Sequence, residues 1–453
     1  MSSRSRATWP LIAVFTAGYL ASYLLPTIVG RLGSGLGLSP AEAGVAGSVL
    51  LLCSAGAGLV LASHVERIGP QRVARAGLLL TLAGYGAAAT TAYLPLVIAG
   101  AAIGGVGSGT ATAVAAGGIA GLPDPHRASS TGLLTVSATA GALYLVLPQI
   151  GGGHRAPFAA IALVAALVWP ATGRLGRTRP HVPATGTGRG RIPHLRSGSV
   201  LAGAMVCWAM AQNSLWGVSS RIGQDQAGLS EVAVGAIFAV SLGAGLIGVA
   251  GAGALGSRLG RALPIGGGTV IISACIALSS SASGLGSFAS GEILWNTFYP
   301  VVLSYLIGLA ASLDPRGRWA VLVGSASSLG VACGPVAGSL LSAQTGFPLM
   351  GAVLCALLLL LAVPLTAVAL HTSGRPLLPG SVRRRGGAPA AVVAGTLGAV
   401  ASTVPQLGAP ELTVTEIALE EPEPVPRRKY RLTGGVQPRS RSASKSYAST
   451  SAK

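Results

Sequence analysis

Apolar runs of about twenty residues recur along this chain, each closed by a short polar or basic stretch. Twelve of them predict membrane-crossing helices, near 8–30, 41–63, 73–94, 96–121, 129–150, 156–172, 199–219, 232–253, 264–285, 287–312, 319–343 and 348–370. Most of the intervals are short, which predicts antiparallel neighbours. The run from Thr8 to Gly30 is longer than the roughly 7–15 residues of a signal-peptide core, so it is expected as an uncleaved first span. Away from the span ends, one acidic side chain interrupts the apolar pattern: Glu292, in Gly291-Glu292-Ile293-Leu294-Trp295-Asn296-Thr297-Phe298-Tyr299-Pro300. Glu292, Trp295, Asn296 and Tyr299 follow helical spacing and share one face. Such a stripe in lipid is costly unless it meets a partner or a cavity.

Composition agrees. The chain is 51% hydrophobic and 9% charged, with mean hydropathy +0.65, against about 25% charged in a soluble domain. Abundant Gly and Ala suit helices packed closely in lipid. The net charge of +19 would suggest nucleic acid in a soluble protein. Here, with the N-terminus placed inside, only Arg31, Arg155 and Arg221 of the 31 basic residues fall outside. That is the positive-inside pattern, and it predicts no nucleic-acid partner. It also predicts a multi-pass protein of the plasma or inner membrane with both termini cytoplasmic. The five cysteines lie inside apolar spans without a C-x-x-C pair and read as small apolar packing residues, with no disulfide framework or metal site. No cofactor is expected. All six histidines lie in loops or the tail, and a single intramembrane acid is too little for metal or triad chemistry. No catalytic residue is assigned, and an enzyme is not expected.

The longest internal loop, 173–198, is rich in Arg, Pro and Gly and reads as a cytoplasmic linker. It divides the chain into a six-helix bundle over 1–172 and another over 199–370. Residues 371–453 are expected as a disordered cytoplasmic tail; a thirteenth span at 388–404 would place basic residues on the wrong side. The halves repeat at an offset of 191. Gly37-Leu38-Ser39 recurs as Gly228-Leu229-Ser230, Gly44 as Gly235, Arg67 as Arg258 and Gly69 as Gly260. Internal symmetry of this kind is expected of a two-domain transporter.

Two loops carry a signature. Ala62-Ser63-His64-Val65-Glu66-Arg67-Ile68-Gly69-Pro70-Gln71-Arg72 follows the second span, and Gly253-Ala254-Leu255-Gly256-Ser257-Arg258-Leu259-Gly260-Arg261 follows the eighth. Both resemble the G-x-L-x-D-R-x-G-R-R loop of the major facilitator superfamily. Ala62, Glu66, Pro70-Gln71 and Ser257 depart from it. In helix 11, Gly330-x-x-x-Gly334-Pro335-x-x-Gly338 resembles the later part of the family's antiporter signature, which belongs on helix 5. The resemblance covers residues 8–370 and implies an all-α membrane fold of twelve helices in two pseudo-symmetric six-helix bundles. It is closest in kind to drug/proton antiporters.

The resemblance further implies that Glu66, Arg67, Gly69, Arg72, Ser257, Arg258, Gly260 and Arg261 form inner gating loops. It also implies that helices 1, 4, 7 and 10 line a central cavity. Helix 4 is a run of Gly, Ser and Thr from Gly104 to Thr112 and has no arginine for proton coupling. On the other three helices the candidate substrate or proton-coupling residues are Tyr19 and Tyr23; Trp208, Gln212, Asn213 and Trp216; and Glu292, Trp295, Asn296 and Tyr299. Each aromatic reads equally as packing or an interfacial anchor, and each amide as an interhelical hydrogen bond. Glu292 is either an outer-end residue reaching water or a cavity-facing acid that takes up a proton or pairs with a cationic substrate. The expected function is secondary active transport of a small organic molecule by alternating access, with protons as the candidate coupling ion and efflux as the candidate direction. A non-transporting sensor or scaffold on the same fold is the alternative.

Overall fold

The computed structural model describes residues 3–62, 64–175, 193–256, 259–314 and 317–373. The inner part of the expected linker, nearly all of the tail with its 388–404 segment, and Ser257 and Arg258 lie outside the described residues, as does the Glu66 side chain.

The chain is built from α1 (Ser3–Tyr23), α2 (Leu25–Leu36), α3 (Pro40–Ala62), α4 (Val65–Ile68), α5 (Pro70–Thr90), α6 (Leu94–Ala120), α7 (Pro125–Ile150), α8 (Arg155–Val168), α9 (Leu195–Arg221), α10 (Glu231–Leu255), α11 (Ala262–Ser280), α12 (Leu285–Leu313) and α13 (Arg318–Ser373). Among the described residues nine helices are long and apolar enough to cross a membrane, and the α1–α2 pair, bent by 47°, makes a tenth. α13 is two spans: Gly346, at φ 76° and ψ 167°, breaks the helical path just before Pro348. α9 is the twelfth, and Gln212 and Asn213 lower its apolarity.

The first span is longer than its pattern predicts. It continues through a bend at Leu24 to Leu36, so Arg31 belongs to a helix rather than to a loop, and it is buried. The apolar run ends where the charge stands. A buried charge with partners lets the helix continue past that point.

In the first half α6 packs against α1, α3 and α5, with α8 on α5 and α7 on α1. In the second half α13 packs on α9 and α11, and α12 on α10 and α11. Between the halves α3 meets α13, α7 meets α10 and α2 meets α9. Small residues set these distances. A Cβ at Gly109 would stand 1.9 Å from the Ser54 carbonyl oxygen, and one at Gly338 would stand 2.2 Å from that of Ser214. In lipid, where apolar surface has no reason to hide from its surroundings, close van der Waals approach of this kind is the main source of helix association.

The repeat at offset 191 acquires a physical meaning. Gly37 and Gly228 both hold left-handed φ, 65° and 66°, which glycine alone adopts freely. Ser39 and Ser230 then start α3 and α10. Ser230 caps α10 by accepting from the Ala233 amide, and Ser39 exchanges hydrogen bonds with Glu42 in a capping box. Gly44 admits α13 at Ser339 and Pro335, while Gly235 admits α7 at Tyr144 and Pro148. The same sequence positions therefore make equivalent crossings in the two halves.

Candidate functional site

Two helices bring most of the candidate residues together. α9 carries Trp208, Gln212, Trp216 and Ser219 on one stripe, and α12 carries Glu292, Trp295, Asn296 and Tyr299 on another. All eight are buried. Trp208 stacks on Tyr299 with ring centroids 5.3 Å apart and planes 11° from parallel. Trp295 lies between Trp216 and Tyr299, 5.7 Å from each. Its indole N–H donates to Gln212 Oε1. Four aromatic rings and an amide thus form one continuous block, each ring in the offset or tilted geometry that aromatic quadrupoles favour.

Glu292 sits at one end of this block. Both Ser219 Oγ, from α9, and Ser279 Oγ, from α11, donate to its Oε1, at 2.9 and 2.8 Å. Its Oε2 is buried and has no hydrogen-bond partner. In this conformation the acid is buried and enclosed by α9, α11 and α12. The reason is tertiary. Glu292 stands about 10 Å along the axis from Leu285, at about 1.5 Å per residue, and the last turns of α9 and α11 close over it.

Further polar atoms are buried without partners: Trp208 Nε1, Gln212 Nε2, Asn213 Oδ1 and Asn296 Oδ1. The two asparagines place their amide N–H groups on their own helices. Asn213 Nδ2 donates to the Ala209 carbonyl and Asn296 Nδ2 to that of Glu292. Orphaned polar atoms are uncommon in a well-packed interior and each costs stability. Here they gather along the α9–α12 seam as two donors and three acceptors, counting Glu292 Oε2. The arrangement can hydrogen-bond a polar group while stacking a planar one.

Helix 1 joins this seam from the other half. Trp216 Nε1 points at the Ser22 carbonyl at 3.5 Å. Tyr23 contributes its carbonyl to the Tyr144 hydroxyl, and Tyr19 packs its ring on Phe15 at 4.4 Å. The Gly run of α6 serves packing: a Cβ at Gly105 would meet Leu50 of α3, and one at Gly107 would meet Thr81 of α5.

The loop candidates stand apart from this cluster. Gly69, at φ 100°, and Gly260, at φ 67°, hold positive-φ turns. Arg67 closes α4, and Arg72 lies in the first turn of α5. Arg261 donates to Ser312 Oγ at 2.6 Å, tying its loop to the end of α12.

Three functional candidates were missed in the sequence. Ser219 follows Gln212 and Trp216 at helical spacing, so an extended stripe would have included it. Ser279 lies in a plain serine run, Ser279-Ser280-Ser281, and gives no such signal. Arg31 stood one residue beyond the predicted end of its helix.

The sequence profile of the Major Facilitator Superfamily matches residues 11–316. Among solved structures, that of the human organic anion transporter MFSD10 (TETRAN) is similar in fold, with a TM-score of 0.57 and 17% sequence identity. The match covers 81% of this chain and 100% of that one, and at this identity the likeness concerns the fold alone. No curated protein matches the sequence significantly.

Proposed function

The chain belongs to the major facilitator superfamily and is a membrane transporter; on that premise we propose that it carries a small organic molecule by alternating access, with Glu292 as its coupling or recognition group. The single observation behind this reading is the α9–α12 seam. With Ser279 of α11 it combines one carboxylic acid, the hydroxyls of Ser219, Ser279 and Tyr299, three amides and four aromatic rings, with several polar atoms buried and unpartnered. A buried carboxyl with hydroxyl partners can hold or release a proton, and the rings accept a planar or cationic body. The solved relative is titled an organic anion transporter. The seam described here offers a carboxylate where an anion would need a cation, so a neutral or cationic amphipathic substrate suits it better.

Orientation follows from charge. With the basic loops and both termini inside, the Arg31 end faces outward, in the plasma or inner membrane. Efflux in exchange for protons fits an acid sealed near the outer end, where protonation would accompany release of a cationic cargo. The test is a panel of neutral, cationic and anionic aromatic compounds in proteoliposomes, with and without an imposed pH gradient. Gradient-dependent uptake of a cationic or neutral member supports the reading. Transport confined to anions overturns the substrate class, and flux of every compound unchanged by the gradient overturns the coupling.

A further inference from the structure

We infer that Arg31 and Glu231 form a one-sided latch that holds the two halves together at the Arg31 end. The inference rests on the alternating-access reading above. Of the ion pairs between described residues, Arg221–Asp225 and Arg318–Asp314 join residues four apart, whereas Arg31–Glu231 spans the two halves at 2.7 Å. Arg31 Nε donates to Glu231 Oε1. Glu231 lies in the first turn of α10, where the helix dipole favours a negative charge.

The two partners are held very differently. Arg31 is buried, and its remaining donors are taken by its own half. Nη2 donates to the Leu147 carbonyl at 2.6 Å, and Nη1 to those of Gly151 at 2.8 Å and Gly153 at 3.4 Å. These carbonyls belong to the last turn of α7 and the turn after it. That turn, Gly151-Gly152-Gly153, runs through three consecutive left-handed residues, at φ 63°, 83° and 54°, a path glycine alone follows without strain. The guanidinium therefore neutralises the C-terminal end of α7 whether or not Glu231 is present. The Glu231 side chain is 36% exposed, against 6% for Arg31, and can be rehydrated when the halves separate.

This asymmetry makes the latch reversible. Parting the halves leaves Arg31 with three carbonyl partners and Glu231 with water, so no buried charge is stranded. The other contacts at this end are close fits of small residues, such as Gly30 against Ser220 and Gly235 against Tyr144. The ion pair supplies the directional, salt-sensitive contribution, and Glu231 is the moving part.

The test reads opening directly. Ser220 is buried, 5% exposed, in the contact between α2 and α9. A Ser220→Cys chain, in full-length protein in proteoliposomes, is labelled with a membrane-impermeant maleimide, with the parent chain as blank for its five native cysteines. Adding Glu231→Gln should raise the labelling rate about three- to five-fold, the scale of one half-exposed ion pair. Raising the salt concentration should speed labelling of the chain that keeps Glu231 and leave the Glu231→Gln chain unchanged. Equal rates with and without Glu231→Gln overturn the latch. If that variant does not elute as a single species, the salt series on the Ser220→Cys chain alone decides, and a flat series overturns it. Labelling needs no substrate, so a failed transport panel leaves this result readable, and a flat labelling result leaves the transport reading untouched.

Discussion

Glu292→Gln separates coupling from folding. The amide keeps the shape of the acid. Its Oε1 can still accept from Ser219 and Ser279, and its new N–H2 occupies the place of Oε2, an atom with no partner to lose. The variant should therefore fold and insert like the parent. What it removes is the one carboxyl among the described residues of the seam, the proposed proton carrier. One carboxyl implies one proton per cycle. A gradient of one pH unit is then worth about 1.4 kcal/mol, which is about a ten-fold accumulation of a neutral substrate at one-to-one exchange. Two units should give about a hundred-fold accumulation in the parent chain by the same arithmetic.

The assay is uptake into proteoliposomes at imposed gradients of zero, one and two pH units, with substrate counterflow as the control for a working carrier. The parent should climb with the gradient, while Glu292→Gln should stay at unity and keep its counterflow. Gradient-driven accumulation that survives in Glu292→Gln would refute the assignment of Glu292. Loss of counterflow as well would show that the acid binds substrate rather than protons, because an amide cannot neutralise a cationic cargo.

Three further outcomes follow from the same geometry. Ser219→Ala with Ser279→Ala strips both donors from Glu292 Oε1, each worth about 1–3 kcal/mol when buried, and should lower the melting temperature of the purified protein by several degrees more than either change alone. Trp295→Phe keeps the ring but removes the N–H that satisfies Gln212 Oε1, at a cost of about 1–3 kcal/mol; it should raise KM for an aromatic substrate in the uptake assay, and an unchanged KM would place the block outside the substrate path. Gly338→Val puts a branched side chain where even a Cβ would stand 2.2 Å from the Ser214 carbonyl oxygen, so α13 must move off α9 and detergent-solubilised yield and melting temperature should fall sharply, by more than the roughly 1–3 kcal/mol of ordinary overpacking.

The order of residues along the chain was enough for the symmetry and for the spans, apart from the outer end of the first. About twenty apolar residues must cross lipid as helix, because every backbone group has to be satisfied within the segment. That requirement is local, so it can be read from a window. The same is true of Gly37 and Gly228, of Ser39 and Ser230, and of the stripes on α9 and α12, whose faces follow from helical spacing alone. Tertiary structure decided everything that depends on a neighbour. It placed Ser219 and Ser279 on Glu292, from helices whose sequences carry no mark of that acid. It turned Arg31 from an expected loop charge into a buried one by supplying Glu231 from a helix 200 residues away and three carbonyls from α7 and its turn. Periodicity shows which face of a helix is polar; only packing shows which helix meets it, and so which buried polar atoms are partnered and which are left orphaned.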